Sequence, residues 1–240
     1  MIRITRPTSH HAATALVLLA GLAANQAMSA TIDVEITNLT HGNTFTPILV
    51  TAHSSGTNLF QVGTSASAEL TTMAEGGDIS GLNTLADSIN AVSVANPASG
   101  FLAPGASTST GDFDTLTNTQ LSITAMILPT NDGFVGLNAW TIPTTPGVYT
   151  FTLDAYDAGT EANDEIINGG GATGVAGIPA DPTGNNGTGA TGVTSSENNT
   201  SVHIHRGVLG DYDATGGVSD LNSSVHRWLN PVARVTVTVQ

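Results

Sequence analysis

The sequence predicts an all-β protein, an antiparallel β-sandwich that carries two short helices. Two observations lead there. Six or more stretches read as strands, several of them alternating apolar and polar residues with the period of two that a half-buried strand requires, and only two stretches show helical spacing. No internal repeat or composition break divides the chain after its first thirty residues, so residues 31–240 read as one domain, long enough to bury a sizeable core.

Those first thirty residues read as a leader. Arg3 and Arg6 form a basic start, residues 12–24 (AATALVLLAGLAA) an apolar run, and Ala27-Met28-Ser29-Ala30 a small-residue cleavage site. The run is shorter than the roughly 20 residues that span a bilayer, and no second stretch is longer. The expectation is a signal peptide over 1–30 and an exported chain without a membrane span.

The strands follow in order. Residues 31–38 place Ile32, Val34 and Ile36 on one side and Asp33 and Glu35 on the other. Residues 46–53 (TPILVTAH) are more continuously apolar. Residues 66–75 and 79–90 are the two helices, joined at Gly76-Gly77, with Leu82, Leu85, Ala86 and Ile89 at helical spacing. Residues 91–102 read as a connection with one short strand, and 104–114 as a turn. In 120–128, Leu121, Ile123, Ala125 and Ile127 oppose Ser122 and Thr124. A turn at 129–133 leads into a short strand at 134–137. Residues 147–153 alternate Tyr149, Phe151 and Leu153 against threonines, which leaves Asp154 on the polar side at the strand's end. Residues 168–192 hold nine glycines in twenty-five positions and read as a flexible loop without a core of its own. Residues 201–206 resume order, 211–220 form another acidic loop, and 232–240 close the chain with Val235, Val237 and Val239 facing inward.

Charge narrows the function. Beyond residue 30 there are three Arg and no Lys against nineteen acids, a net charge of −16. Nothing could neutralise a phosphate backbone or bind an anionic lipid surface, whereas divalent cations or a basic partner are permitted. The chain has no Cys, which removes disulfides, thiolate metal sites and Cys nucleophiles. Enzyme motifs are missing too: no Gly-x-Ser-x-Gly elbow, no His-Glu-x-x-His, no phosphate-binding loop. No catalytic residue is assigned.

The acids crowd in one place. Asp154, Asp157, Glu161, Asp164 and Glu165 fall within twelve residues, and Asp132 sits in the turn at 129–133. Ca²⁺ takes six to eight oxygen ligands from loops that can bend, and two loops meeting at one end of a sandwich can pool them. The residues alone leave two readings, a cation site or a solvated acidic loop, with Asp164 and Glu165 as surface.

Two motifs add to this. Leu128-Pro-Thr-Asn131-Asp132-Gly-Phe-Val135-Gly136-Leu137, followed by Tyr156-Asp157-Ala158-Gly159-Thr160-Glu161, resembles the spondin domain, the N-terminal module of F-spondin and mindin. Residues 52–69 resemble the family's segment after its second strand, and Val232-Ala233-Arg234-Val235 its closing strand. Glu161 stands where the family has Asp, Gly133 where it has an aromatic, and the cysteines of animal members are absent. The resemblance implies a C2-like β-sandwich of about eight strands with bound calcium, acting in extracellular adhesion. By motif it carries over Asp132, Asp157 and Glu161 as metal ligands, and Asp154 joins them from its place at the strand end. The expected partner is an extracellular protein or glycan, or another copy of the chain. A second reading is a periplasmic or surface copper- or zinc-binding protein using His203, His205 and His226, since His-x-His puts two imidazoles on one face of a strand. A third is a structural subunit of a surface layer or fibre.

Overall fold

In a computed structural model, residues 29–172, 174–182 and 186–240 are described. All but the last two positions of the leader read at 1–30 lie outside them.

Eleven strands and two helices follow in chain order: β1 (Thr31–Asn38), β2 (Thr44–Phe45), β3 (Leu49–His53), α1 (Ala68–Gly76), α2 (Ser80–Ser88), β4 (Val92–Ala95), β5 (Ser107–Ser109), β6 (Phe113–Asp114), β7 (Gln120–Leu128), β8 (Gly133–Thr141), β9 (Gly147–Asp157), β10 (His203–Ile204) and β11 (Ala233–Val239). The eight strands of one hydrogen-bonded path run β4-β3-β7-β8-β9-β11-β1-β5, and β2, β6 and β10 pair beside it. Every strand pair is antiparallel. The path curls so that Ile32, Val34 and Ile36 of β1 and Val235 and Val237 of β11 share a core with Val50, Ile123, Ala125, Ile127 and Val135 from its other half. The fold is the all-β, sandwich-like one that the alternation predicts.

Two features go beyond the period-of-two reading. β7 is buried on both faces, because α1 and α2 cover the side that carries Met126 and Leu128. Its alternation of Ile with Ser and Thr suggested one wet face; Ser122 and Thr124 are instead fully buried. Ser122 marks a register shift in the β7–β8 pairing, and its Oγ accepts the Ala139 N–H at 2.9 Å. The same hydroxyl bonds His53 Nε2 at 2.8 Å, while His53 Nδ1 reaches Thr57 Oγ1 at 2.9 Å. His53 is thereby satisfied on both ring nitrogens as a neutral core residue, and burial pushes its pKa down.

Second, the region 104–114 contains two short strands, β5 and β6, that extend the sheet beyond β1. Residues 168–192 also differ from the expectation of a loop without a core. Ile178 is fully buried in a small cluster with Val208 and Leu221, against which Ile167 and Trp228 pack. Glycine density hid this core because a single isoleucine from the segment suffices when its partners come from elsewhere in the chain.

Candidate functional site

The acids meet where β8 starts and β9 ends. β9 runs four residues beyond the alternation seen in the sequence, to Asp157, and its register against β8 sets Gly133 opposite Asp157 and Phe134 opposite Tyr156. An aromatic cluster fixes this end. Phe60, Phe134 and Tyr156 have ring centroids 5.1, 5.1 and 5.6 Å apart. Gly136 is required beneath it, since a Cβ there would come within 2.7 Å of Phe60 Cζ. Asp132 is thus the residue just before β8 and Asp157 the last residue of β9, both at a packed sheet end.

Asp132 is fully buried. Its Oδ2 accepts from the Thr160 N–H at 2.8 Å, the Thr160 hydroxyl at 3.1 Å and the Glu161 N–H at 3.2 Å. Its Oδ1 is buried without a hydrogen-bond partner. Burial, followed by the charge of Asp157, pushes the Asp132 pKa up to about 7. Asp157 accepts from the Gly159 N–H at 2.8 Å and from Asn163 Nδ2 at 2.7 Å. Gly159 makes this turn with φ of 71°, and a Cβ on it would strike the backbone of residues 199–201.

Glu161 is buried as well. Its Oε2 accepts from the Gly177 N–H at 2.9 Å, and its Oε1 has no partner. Burial, with the charges of Glu75 and Asp164, raises its pKa. Asn131 bridges the two loops: Nδ2 donates to Asp164 Oδ1 at 2.8 Å and, at 3.5 Å, to Glu161 Oε2, and Oδ1 accepts the Glu165 N–H.

The structure brings Asp157 close enough for its charge to act on Asp132, and Glu161 touches Asp132 through its backbone N–H, but no three of these acids form a ready-made metal-ligand cluster among the described residues, and Asp154 lies apart from them. Asp154 precedes Asp157 by three positions on the same strand, an odd spacing that points it to the opposite face. There burial, followed by the charge of Asp154, raises the pKa of Tyr156. The alternation that stops at Leu153 makes Asp154 look like a strand end, while the pairing of β9 with β8 continues to Asp157.

Glu165 also departs from the sequence reading. It is buried rather than on the surface, with φ of 60°. Its carboxylate accepts from Leu209 N at 2.6 Å, Gly210 N at 2.8 Å and Ser219 Oγ at 2.6 Å. No local pattern marks it, since all the partners of its carboxylate lie more than forty residues away.

The histidines divide. His203 Nδ1 lies 2.8 Å from Ser201 O, and its Nε2 lies 3.7 Å from Asp157 Oδ2. His205 accepts the Gly207 N–H on Nδ1, and its Nε2 is buried without a partner. Its ring centroid is 5.0 Å from that of Trp228, and burial pushes its pKa down to about 4. His226 is engaged elsewhere, accepting the Asn222 N–H on Nδ1 and reaching Asp181 Oδ2 at 3.4 Å with Nε2. Among the described residues, no three His, Asp or Glu side chains form a ready-made metal-ligand cluster, so His203, His205 and His226 are not brought together.

The arrangement fits a hard cation in one respect. Asp132 Oδ1 and Glu161 Oε1 are desolvated carboxylate oxygens without donors, which a hard, oxygen-seeking ion would satisfy. A family model described as Spondin_N matches residues 37–165, just over half the chain, including both motifs and all four acids singled out. No curated protein matches the chain.

Proposed function

The chain belongs to the Spondin_N family, and from that premise we propose that it is an exported, non-catalytic β-sandwich that binds calcium at the β8–β9 end and mediates adhesion to an extracellular protein or glycan. Spondin domains are typically extracellular, and no described helix is long and apolar enough to cross a membrane. The family is not a known enzyme family.

One observation carries the calcium reading. Seven carboxylates are buried: Glu75, Asp132, Asp157, Glu161, Glu165, Asp181 and Asp220. Among the described residues none forms an ion pair with Arg, and only Asp157 and Asp181 have a histidine partner. Buried charge is costly unless paired. Two of the seven keep an oxygen that nothing donates to, and both belong to the motifs. In this reading Asp132 and Glu161 hold the ion through those oxygens, with Asp157 beside them. The bound ion supplies positive charge that neutralises the acids and joins the turn at 129–133 to the loop after β9.

Exposed apolar side chains support the adhesive part. Ile204, Leu209, Tyr212, Val218 and Leu229 all lie within residues 204–229, the stretch whose Leu209 and Gly210 N–H groups Glu165 accepts, and Leu229 is 84% exposed. Arg227, Trp228 and Leu229 help line an open depression of about 430 Å³ there. Apolar side chains gathered on one segment, with a guanidinium in an otherwise acidic molecule, suit a protein partner.

Calcium binding is tested by melting the purified protein in EDTA and in excess CaCl₂. A ligand at a hundred times its Kd stabilises the native state by about 2.7 kcal/mol, which raises Tm by several degrees. Equal melting temperatures, together with no calcium in the protein as isolated, would remove the reading.

A further inference from the structure

The curled path of strands has open edges, and one of them differs from the rest. The two ends of the path, β4 and β5, are only four and three residues long. β8 and β9 pair from Gly133–Asp157 to Gly136–Asp154 and then part, although β8 runs on to Thr141 and β9 begins at Gly147. Beyond the parting, β8 is irregular, with the register shift at Ser122 and with Ala139 at φ of 50°. β9 is not. Its residues 147–153 (GVYTFTL) hold no charge, no Pro and no bulge, and they pair with β11 in unbroken register. Proteins blunt an exposed edge with short strands, charges, prolines or bulges, and this stretch of β9 has none of them.

Alternation shows which backbone groups are free. In an antiparallel ladder the N–H and C=O of one residue point to the same neighbouring strand, and those of the next residue to the other. Leu153 O accepts the Val232 N–H at 2.9 Å and the Ala155 N–H goes to Asn230 Oδ1 at 2.8 Å, both on the β11 side. The Ala158 N–H goes to Asp132 O, on the β8 side. Odd-numbered residues of β9 therefore face β11. Val148, Thr150 and Thr152 turn their N–H and C=O groups to the edge that β8 has left, where no described strand pairs with them.

We propose that this edge binds the same edge of a second copy of the chain, antiparallel about a two-fold axis at Thr150. The strand is complementary to itself in that register. Thr150 stands opposite its own counterpart and Val148 opposite Thr152, so the free N–H and C=O groups are exchanged pair by pair. Tyr149 falls opposite Phe151 in the closer, non-hydrogen-bonded pairs, an aromatic contact across the strands. Both rings already pack on Trp140, with centroids 6.2 and 4.8 Å from it, and all three side chains are half-buried where β8 and β9 part. Charge fits a second copy as well. Residues 31–240 carry a net charge of −16, and two such molecules meet with least repulsion along an uncharged strand. The nearest acid along β9, Asp154, falls opposite Pro146, where the ladder ends, so the carboxylates of the two copies do not face each other. The contact is isologous and closes at two copies, joining β5-β1-β11-β9 of both into one sheet. The dimer does not rest on the calcium reading, and it makes any adhesive surface bivalent.

The test is sedimentation equilibrium over a range of concentrations for the wild-type chain, Thr150→Lys and Thr238→Lys. Both threonines lie on the outer face of the sheet, and both substitutions make the chain less acidic, so a general charge effect would favour association in each. The wild-type chain is expected to form a concentration-dependent dimer. Thr150→Lys sets like charges directly opposite at the axis and weakens the dimer about fivefold or more. Thr238→Lys, one strand away on β11, leaves it unchanged. The chain has no Cys, so a single introduced thiol reads the register. Opposed residues of a hydrogen-bonded pair lie about 5.5 Å apart between Cα atoms, within reach of a disulfide. Mild oxidation should therefore cross-link Thr150→Cys into dimers and leave Thr238→Cys monomeric, an arm that also decides the matter if Thr150→Lys does not fold. A wild-type chain that stays monomeric at every concentration, a dimer that Thr150→Lys leaves intact, or equal cross-linking of the two thiol variants overturns the proposal.

Discussion

Asp132 and Asp220 are both buried carboxylates at loop positions, and their surroundings treat them in opposite ways. Asp220 accepts five hydrogen bonds, from the N–H groups of Ile167, Thr188, Gly189 and Ala190 and from the Thr188 hydroxyl. Burial pushes its pKa up, but these donors outweigh it and hold the carboxyl below its ordinary value. At Asp132 burial and the Asp157 charge win over three donors, all on one oxygen, and the other oxygen has none. The difference lies in the backbone around each. Gly187 and Gly189, both with positive φ, let successive N–H groups converge on Asp220 as an anion nest. The sheet end around Asp132 is rigid and packed, and its nearest charged neighbour is another acid. Asp220 is satisfied on both oxygens and orders the Gly-rich segment; Asp132 keeps one buried oxygen without a donor.

The largest effect is expected where the carboxylate holds the loops by itself. Asp220→Ala strands four backbone N–H groups and one hydroxyl, three of the four N–H groups from consecutive residues 188–190. Losing charged hydrogen bonds of this kind costs about 3 kcal/mol or more. Urea melts should show a matching drop in midpoint, equal with and without calcium. A drop that appears only in EDTA would mean that Asp220 also depends on the ion, and the contrast with Asp132 would be lost.

Asp132 predicts the reverse sign. Its pKa is raised from 3.8 to about 7, so without calcium the folded state favours the protonated form. That contribution is fully present below pH 3.8 and is lost as pH rises through 7, a change on the order of 4 kcal/mol across the window. Asp132→Asn removes the buried charge. At pH 8 in EDTA the variant should be more stable than wild type by roughly 2 kcal/mol, less than the full change because an amide group takes the unpartnered position. In CaCl₂ the order should invert, since the variant gains nothing from the ion. Thermal melts at pH 5 and pH 8, with and without calcium, read all four corners. A variant that is destabilised in EDTA at pH 8 would break the argument.

How far the sequence reaches follows the range of the forces involved. Strands whose partners are neighbours in one sheet were legible, because Ile32, Val34 and Ile36 or Val235, Val237 and Val239 carry their burial in a period of two. The nearness of Asp132 and Asp157 was legible because each lies in a motif and a register of adjacent strands joins the two. Burial imposed from another layer was not. The helices cover the face of β7 that carries Met126 and Leu128, Ser122 is enclosed by His53 and Ala139, and the C-terminal loops enclose Glu165 through Leu209, Gly210 and Ser219. Glu75 did leave a trace, an acid in the last turn of a helix with no basic residue beside it, which is the wrong sign for that end.

Asp154 offers the finest division of the acidic stretch. It shares β9 with Asp157 and differs from it by an odd step, so the pleat alone separates them. It is half-buried near Tyr156, opposite Gly136, on the other face of the strand from Asp157. Removing its charge should leave calcium affinity within about twofold of wild type, because the charges are held apart by the sheet and water reaches the side chain. Asp157→Asn, three residues on, should weaken binding on the order of tenfold through lost charge at the site. Calcium titrations of the two variants side by side measure the difference. Equal weakening by both would mean that net acidity of the segment sets the affinity, and that the division made by the strand's two faces has no bearing on where the ion binds.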